Sequence, residues 1–276
     1  MTHMIYVVPS LKAKEKLQCE GKAWAESQGF AYVPRGKRTI QDLMDEYGED
    51  FLVYSSRGPQ IDRPEGSHFF SLNMAELRIQ NLRKGQRDHL LEALMGVKEY
   101  DLRPAAAQPP ISVLDCTCGF GADGAVASFG LPAGSRVDAL EVSPLLEAVT
   151  AWGFSHFVHK KDDVTAALRR ISLRCGDYRD YLLSDEGPVY DVLYFDPMFQ
   201  RPVEASCQFQ PVRAIMEHGG LTRDLIERAL QKARHRVVIK ERDFRHLCRD
   251  FPDVTLYGGK YSRIGYAVLE CDSWKK

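Results

Sequence analysis

Four acidic residues of this 276-residue chain stand at the ends of short apolar runs, where a carboxylate can meet a ligand at the edge of a sheet. Asp115 follows ISVL and Glu141 follows VDAL. Asp177 comes after ISLRCG, and Asp196 follows VLYF. Carboxylates accept hydrogen bonds and attract cations. Their positions therefore indicate a site for a polar molecule that carries positive charge.

The segment 115–124, DCTCGFGADG, places glycines at 119, 121 and 124 directly after the first run. That spacing satisfies the pattern G-x-G-x-x-G, and Glu141 stands twenty residues past Gly121 to accept hydrogen bonds from ribose hydroxyls. A glycine loop between a strand and a helix indicates a nucleoside cofactor. Nicotinamide dinucleotides and S-adenosylmethionine both fit this geometry.

The acids favour S-adenosylmethionine. Asp115 lies four residues before Gly119, where a carboxylate repels a pyrophosphate but suits the ammonium and sulfonium charges of the methyl donor. Asp177 either accepts from the adenine amino group or only caps the helix that follows it. A nicotinamide oxidoreductase stays open as an alternative on the literal glycine pattern.

The segment Asp196-Pro197-Met198-Phe199 is suited to chemistry on a planar amine, although an Asp-Pro step can also be a plain turn. The lone pair of such an amine is delocalised into its ring, so the amine is a weak nucleophile. The Asp196 carboxylate and the Pro197 carbonyl can accept its two N–H bonds, while Phe199 stacks on the base. This predicts in-line methyl transfer by positioning, without a metal or a covalent enzyme intermediate.

These residues need a scaffold of strands alternating with helices, and such a pattern follows a Pro- and Ala-rich joint at 101–110. It predicts an α/β fold with a doubly wound, mostly parallel Rossmann-like sheet and a terminal antiparallel hairpin. The predicted strands are Ile111–Cys116, Val137–Val142, Ile171–Cys175, Val192–Phe195, Arg236–Lys240, Val254–Tyr257 and Tyr266–Leu269, with helices at Asp123–Phe129, Pro144–Trp152 and Thr222–Ala233.

The first hundred residues predict a small α+β module and two connecting helices. The module has expected strands at Tyr6–Val8, Ala31–Val33 and Phe51–Ser55 and helices at Lys12–Gln28 and Ile40–Tyr47; the connecting helices are Met74–Arg83 and Gln86–Met95. The predicted domains are 1–65 for the module, 66–110 for the helical connector and 111–276 for the cofactor-binding domain. The sequence assigns no role to the module.

Several motifs occur in a recognisable order between residues 65 and 270. They are the block Phe69 through Leu94, the loop DCTCGFG, Glu141-Val142-Ser143-Pro144, the quartet DPMF, and RVVIK at 236–240 with Asp243-Phe244. Together they resemble the bacterial class I methyltransferases that modify guanine N2 in small-subunit ribosomal RNA, and their uncharacterised Gram-positive relatives. The resemblance implies cofactor contacts at Ala122, Asp123, Glu141, Val142, Asp177, Tyr178 and Asp196, to which the glycine loop adds Asp115, Thr117, Gly119 and Gly121.

The chain departs from the resembled family at three positions. Thr117 replaces a superfamily glycine, Ala122 stands where members often have Arg, and Val142 stands where they have a basic residue. Two alternatives stay open beside RNA methylation. One is a methyltransferase for a small molecule or a protein, and the other is a non-catalytic RNA-binding factor with a vestigial cofactor site.

Contacts with RNA are predicted for four basic residues. The resemblance places the block containing Arg87 near the cofactor crevice, beside either the substrate or the methionine carboxylate of the cofactor, although a charged linker helix explains this residue equally well. Arg201, Arg213 and Lys240 can line an RNA groove, since phosphate contacts hold a strand while its target base is extracted. Solvated helix faces are the alternative for each.

Composition excludes several classes. With 37 Lys and Arg against 38 Asp and Glu, the net charge of −1 excludes a histone-like nucleic-acid binder. The longest apolar run has five residues, too few to span a membrane.

Seven scattered cysteines and the lack of a signal-peptide pattern predict a cytoplasmic protein. Neither Cys116-x-Cys118 nor His156-x-x-His159 has a second ligand pair, so no metal is predicted. Oligomeric state is not predicted.

Overall fold

The computed structural model describes residues 4–96, 109–197, 220–258 and 264–271. The first elements are β1 (Tyr6–Pro9), α1 (Glu15–Ser27), β2 (Ala31–Tyr32), α2 (Ile40–Tyr47), β3 (Phe51–Ser55), β4 (Gly58–Arg63), β5 (Gly66–Phe69), α3 (Asn73–Arg83) and α4 (His89–Met95). They are followed by β6 (Ser112–Asp115), α5 (Ala122–Gly130), β7 (Arg136–Glu141), α6 (Pro144–His156), α7 (Asp162–Leu168), β8 (Ile171–Cys175), α8 (Tyr178–Leu183), β9 (Val192–Phe195), α9 (Arg223–Lys232), β10 (Arg236–Glu241), α10 (Arg245–Asp250), β11 (Thr255–Gly258) and β12 (Gly265–Glu270).

These elements belong to two compact units, and the first unit is discontinuous in sequence. Its described residues are 4–71 and 143–157, so α6 belongs to it. The connecting helices α3 and α4 belong to the second unit, together with the described residues from β6 onward other than 143–157. The predicted domain boundaries at 65 and 110 stay predictions. None of the helices in the described ranges combines the length and hydropathy needed to cross a bilayer.

The first unit is built on a five-stranded sheet in the order β2-β1-β3-β4-β5. Alternate residues of β1 face opposite sides of this sheet, as extended backbone requires. Val7 packs with Ala25 of α1, whereas Val8 packs with Leu43 of α2 and Phe51 of β3. One helix therefore covers each face around the central strands.

Strands β4 and β5 were not among the predicted elements, because β4 lacks the apolar alternation of a half-buried strand. All six of its residues are buried, yet Gln60, Asp62 and Arg63 are polar. Gln60 Nε2 donates to both carboxylate oxygens of Asp62, at 2.8 and 2.9 Å. Hydrogen bonds between side chains of β4 thus satisfy polar groups that the strand buries, although its polar composition is typical of a loop.

Helix α6 packs on β4 and the residues after it through a glycine. A Cβ at Gly153 would lie 1.9 Å from Cγ of Phe70, whose ring meets Phe154 edge-on. Where a helix has room for the added methyl group, replacing Gly by Ala raises the free energy of unfolding by about 1 kcal/mol. We expect Gly153→Ala instead to lower the free energy of unfolding by about 1–3 kcal/mol in urea titrations, because the added methyl overpacks the contact. A more stable variant would contradict this packing.

The second unit contains a seven-stranded sheet in the order β11-β12-β10-β9-β6-β7-β8. The pairs from β8 through β10 are parallel, and β12 runs antiparallel to both β10 and β11. This confirms the predicted doubly wound, mostly parallel sheet with a terminal hairpin. Helices α7 and α10, which the apolar spacing does not predict, complete the unit.

The two faces of β9 and β10 decide which side chains reach the ligand edge. Leu193, Phe195 and Ile239 enter an apolar core together with residues of α8 and α9. The alternate residues Tyr194 and Lys240 therefore lie on the opposite face, where they contact α5. Strand order changes direction between β6 and β9, and ligands bind at such a switch point.

Candidate functional site

The glycine loop after β6 takes the conformation that its glycines permit. Gly119 and Gly121 have φ of +53° and +73°, in the left-handed region that favours glycine. Gly121 is the N-cap residue of α5, and its N–H donates to the carbonyl of Cys118 at 2.9 Å. The N–H of Gly119 donates to Oε2 of Glu141 at 2.9 Å. The loop is thereby tied to the end of the neighbouring strand β7.

Asp115 lies at the base of this loop and is only 2% exposed. Its Oδ1 accepts from the N–H of Thr117 at 3.1 Å, and a Cβ at Gly124 would lie 3.8 Å from its Oδ2. Burial raises the pKa of Asp115 to about 8, because a charged carboxylate loses its hydration there. Without a bound cation Asp115 is therefore mainly protonated at neutral pH, and a cation beside it would favour the ionised form.

Thr117 connects the loop to the predicted catalytic segment. Its Oγ1 accepts from the backbone N–H of Asp196 at 2.6 Å. A glycine at this position, as in the superfamily, would supply no such acceptor. The threonine is therefore part of a formed site, spanning the switch point between β6 and β9.

Beside the loop lies a group of five charged residues, here called the ion cluster: Arg78, Asp88, Asp123, Asp196 and Lys240. Arg78 donates to both oxygens of Asp88, each at 2.8 Å, and from Nη1 to Oδ1 of Asp123. Lys240 Nζ donates to Oδ2 of Asp123 and to Oδ2 of Asp196, each at 2.7 Å. The cluster thus joins helix α3 to the end of strand β9.

The cations of the cluster oppose the effect of burial on the pKa values of Asp123 and Asp196. Burial alone would raise the pKa of Asp123, but Lys240 and Arg78 outweigh it and hold that pKa well below its usual range. Tyr194 adds a hydrogen bond from its hydroxyl to Oδ2 of Asp123, at 2.7 Å. Burial raises the pKa of Asp196 to about 6 even though Lys240 lowers it. Asp196 is therefore ionised at neutral pH but close to its titration range.

Lys240, predicted to line an RNA groove, has its ammonium bound by two carboxylates, and its side chain is 14% exposed. Its contact with RNA stays a prediction. Asp123 likewise has both oxygens engaged by side chains of this chain. Its predicted contact with the cofactor stays a prediction, and its carboxylate holds the cluster together.

The remaining predicted cofactor residues lie near the same edge. Asp177 is the N-cap of α8 and accepts from the N–H of Arg179 at 2.8 Å, so the capping alternative describes its present contacts. The ring of Tyr178 packs edge-on against Phe195 within the core, which leaves mainly its backbone available to a ligand. Val142 follows Glu141 and is partly exposed. Whether these residues contact a cofactor stays a prediction.

The predicted RNA contacts divide between described and undescribed parts of the chain. Arg87 forms an ion pair with the buried Glu92 of α4. Phe199, Arg201 and Arg213 lie outside the described residues, as does the rest of 198–219. Pro197, next to Asp196, is described and lies at the end of β9.

Three members of the site were not singled out as functional in the sequence: Asp88, Arg78 and Tyr194. Arg78 reaches Asp123 across 45 positions, and Tyr194 reaches it across 71. The spacing of residue types along the sequence does not indicate contacts between positions so far apart. A polar tyrosine inside the buried run VLYF was the one available signal, since a buried hydroxyl requires a partner.

The residues present fit S-adenosylmethionine. Asp115 offers a buried carboxylate to a cation, and the buried Glu141 stands at the end of the adjacent strand, where ribose hydroxyls need an acceptor. The absence of a side chain at Gly124 keeps the space beside Asp115 clear. A pyrophosphate has no matching charge among these acids.

Comparisons with known proteins agree with this chemistry. Residues 76–264 match the profile of a family described as "Putative SAM-dependent methyltransferase". The chain is 28% identical over 236 residues to the uncharacterized protein YpiP of Bacillus subtilis (strain 168), covering 85% of this chain and 88% of that protein. It is 31% identical over 225 residues to ribosomal RNA small subunit methyltransferase J of Pseudomonas aeruginosa (strain LESB58), covering 79% and 78%.

A solved structure shares the fold over nearly the whole chain. It is a SAM-dependent methyltransferase from Neisseria gonorrhoeae, with a TM-score of 0.62 and 18% identity. The match covers 97% of this chain and 96% of that one. At this identity the likeness supports the fold alone.

Proposed function

This chain belongs to the SAM-dependent methyltransferase family that matches its residues 76–264, and on that premise we propose that it methylates an exocyclic amine of a base in RNA, namely guanine N2 of ribosomal RNA. The predicted reaction class and the predicted cofactor, S-adenosylmethionine, are confirmed by the family. The proposal concerns the acceptor of the methyl group.

The observation that carries the proposal is the arrangement at the end of β9. Asp196 Oδ2 is bound by Lys240, whereas Oδ1 accepts no hydrogen bond from the described part of the chain. The side chain is 29% exposed. An open, ionised acceptor beside the Pro197 carbonyl suits an amine with two N–H bonds, since accepting both localises its lone pair on nitrogen. A hydroxyl group or a carbon atom that receives a methyl group has no pair of N–H bonds to donate to these two oxygens.

Three acidic residues of the chain then each bind a different part of the cofactor. When bound, S-adenosylmethionine supplies an electrophilic methyl group on a sulfonium. Asp115 pairs with the ammonium, Glu141 accepts from ribose hydroxyls, and Asp177 is offered to the adenine amino group. Backbone amides near Gly121 and Ala122 line the remaining side at the N-terminus of α5.

RNA is favoured as the substrate by the relatives. Methyltransferase J from Pseudomonas aeruginosa is named for small-subunit ribosomal RNA, and it covers most of this chain at 31% identity. Phe199 stacks on the target base in this proposal, and Arg87, Arg201 and Arg213 contact phosphates. The ion pair of Arg87 with Glu92 would exchange for, or share with, such a phosphate.

The test is to incubate the protein with methyl-labelled S-adenosylmethionine and small-subunit ribosomal RNA transcribed in vitro, which carries no modification. Equal masses of transfer RNA and of a protein extract serve as competing substrates. We expect label in the ribosomal RNA and N2-methylguanosine after digestion to nucleosides. Label in protein, in a small molecule, or in a different nucleoside would contradict the proposal.

A further inference from the structure

We infer that Lys240 is a positioning residue, held in place by Asp123 and Arg78, that fixes one oxygen of Asp196 so that the other receives the substrate amine. This inference rests on the proposed function, and it adds a route by which helix α3 acts on the catalytic segment. Asp196 alone touches the substrate in this scheme.

A continuous series of side-chain contacts connects helix α3 to Asp196. The contacts run from Arg78 on α3 to Asp123 on α5, then through Lys240 on β10 to Asp196. With Oδ2 of Asp196 held at 2.7 Å by Lys240 and its N–H held at 2.6 Å by Thr117, the carboxylate is restrained from two sides. A restrained acceptor loses less entropy when it orients a substrate than a mobile one does.

The two cations of the ion cluster share their charges among three carboxylates. Lys240 divides one positive charge between Asp123 and Asp196, and Arg78 divides another between Asp123 and Asp88. If Arg78 lost its charge, Asp123 would depend on Lys240 alone. The ammonium would then be drawn toward Asp123, and its hold on Asp196 would weaken. The effect of α3 on Asp196 is therefore indirect but has a defined sign.

Several charged or titratable groups face Asp196. They are Lys240 and Glu241 from β10, Asp123 from α5, Asp115 from the end of β6 and Tyr194 from β9. Of these, Lys240 alone lowers the pKa of Asp196, and burial, Asp123 and Glu241 raise it. Loss of the Lys240 charge must therefore raise the pKa of Asp196 above about 6.

The protonation of Asp196 matters because the reaction releases a proton. Methyl transfer forms an N–C bond, breaks the S–C bond and leaves a thioether, and the nitrogen loses one proton. An ionised Asp196 Oδ1 accepts that proton, and a protonated one cannot. Turnover should accordingly rise with pH through the pKa of Asp196.

The experiment measures kcat with saturating ribosomal RNA and cofactor from pH 5 to 9. For the wild type we expect an acid limb near pH 6. In Lys240→Gln the midpoint should move up by about one pH unit or more, and in Arg78→Gln by less in the same direction. Lys240→Arg keeps the charge and should restore most of the wild-type midpoint.

The matched control is Arg83→Gln. Arg83 is also on α3 and also forms an ion pair, with Asp163, but outside the ion cluster. Its midpoint should not move. A purely structural role for Lys240 predicts a lower kcat with an unmoved midpoint, and that result would overturn the inference.

A second readout needs no substrate. The Asp196 carboxyl carbon is followed by NMR in protein labelled with 13C-aspartate, with the assignment made by its loss in Asp196→Asn. Its titration should move upward in Lys240→Gln and, less, in Arg78→Gln; an unmoved titration overturns the inference. If the titration moves but ribosomal RNA is not methylated, the RNA substrate is rejected and the positioning role stands.

Discussion

Asp196→Asn should lower kcat by about 10²–10³-fold while the Kd for S-adenosylmethionine changes by less than about threefold. Asparagine preserves the size of the side chain and the backbone hydrogen bond to Thr117. It cannot take up the proton that the amine releases, and it leaves Lys240 with one anionic partner, Asp123. Rapid-quench turnover assays and calorimetric titration separate the two effects.

The matched control for this change is Asp180→Asn. Asp180 lies on α8 and is exposed, and the N-cap of that helix is Asp177. Its turnover should equal that of the wild type. Near-normal kcat in Asp196→Asn would sink the assigned role of Asp196 even if the chain methylates RNA.

Asp115→Asn should have two opposite effects, since it weakens cofactor binding and stabilises the cofactor-free protein. Loss of a charged partner for the ammonium should raise the Kd about 10–100-fold. The side-chain oxygen of the introduced asparagine can still accept from the N–H of Thr117, so the loop should keep its conformation. Calorimetry across pH 6 to 9 also tests whether binding to the wild type releases a proton from Asp115.

The gain in stability follows from the pKa of Asp115, which burial raises to about 8. Between its unfolded value near 4 and about 8, the folded state binds more protons than the unfolded state, so the free energy of unfolding falls as pH rises. Asparagine removes that loss. We expect the Tm of the cofactor-free variant to exceed that of the wild type by about 2–8 °C at pH 8.5, and by little at pH 4.5. Equal melting temperatures at pH 8.5 would contradict the burial of a charged carboxylate.

Much of the second unit could be predicted because its strands are short apolar runs with acids at their carboxyl ends. Asp115, Glu141 and Asp196 were found in this way, since a buried parallel strand leaves few choices for where its run stops. Strand β4 could not be predicted, because polar residues such as Gln60 and Asp62 are typical of loops. Only the fold shows that these two side chains form hydrogen bonds with each other.

The ion cluster could not be predicted for a different reason. Its contacts join residues 78, 88, 123, 196 and 240, and only the fold brings α3 beside α5 and the Asp123 side chain of α5 to the ends of β9 and β10. A lysine near the end of a strand is ordinarily solvated, so the sequence assigned Lys240 to an RNA surface. In the structure its ammonium lies within hydrogen-bond distance of two carboxylates, Asp123 and Asp196, which the sequence does not reveal.

Among the described residues, two separate stretches belong to the first unit: residues 4–71 and the stretch 143–157 that contains α6, the helix in which Gly153 packs against Phe70. A single cut after residue 71 therefore divides the first unit itself, because it separates the sheet covalently from its own packing helix. An amino-terminal fragment ending there would expose Phe70, and the complementary fragment would carry a helix whose apolar face had lost its cover. A single boundary in the sequence therefore cannot separate the two units.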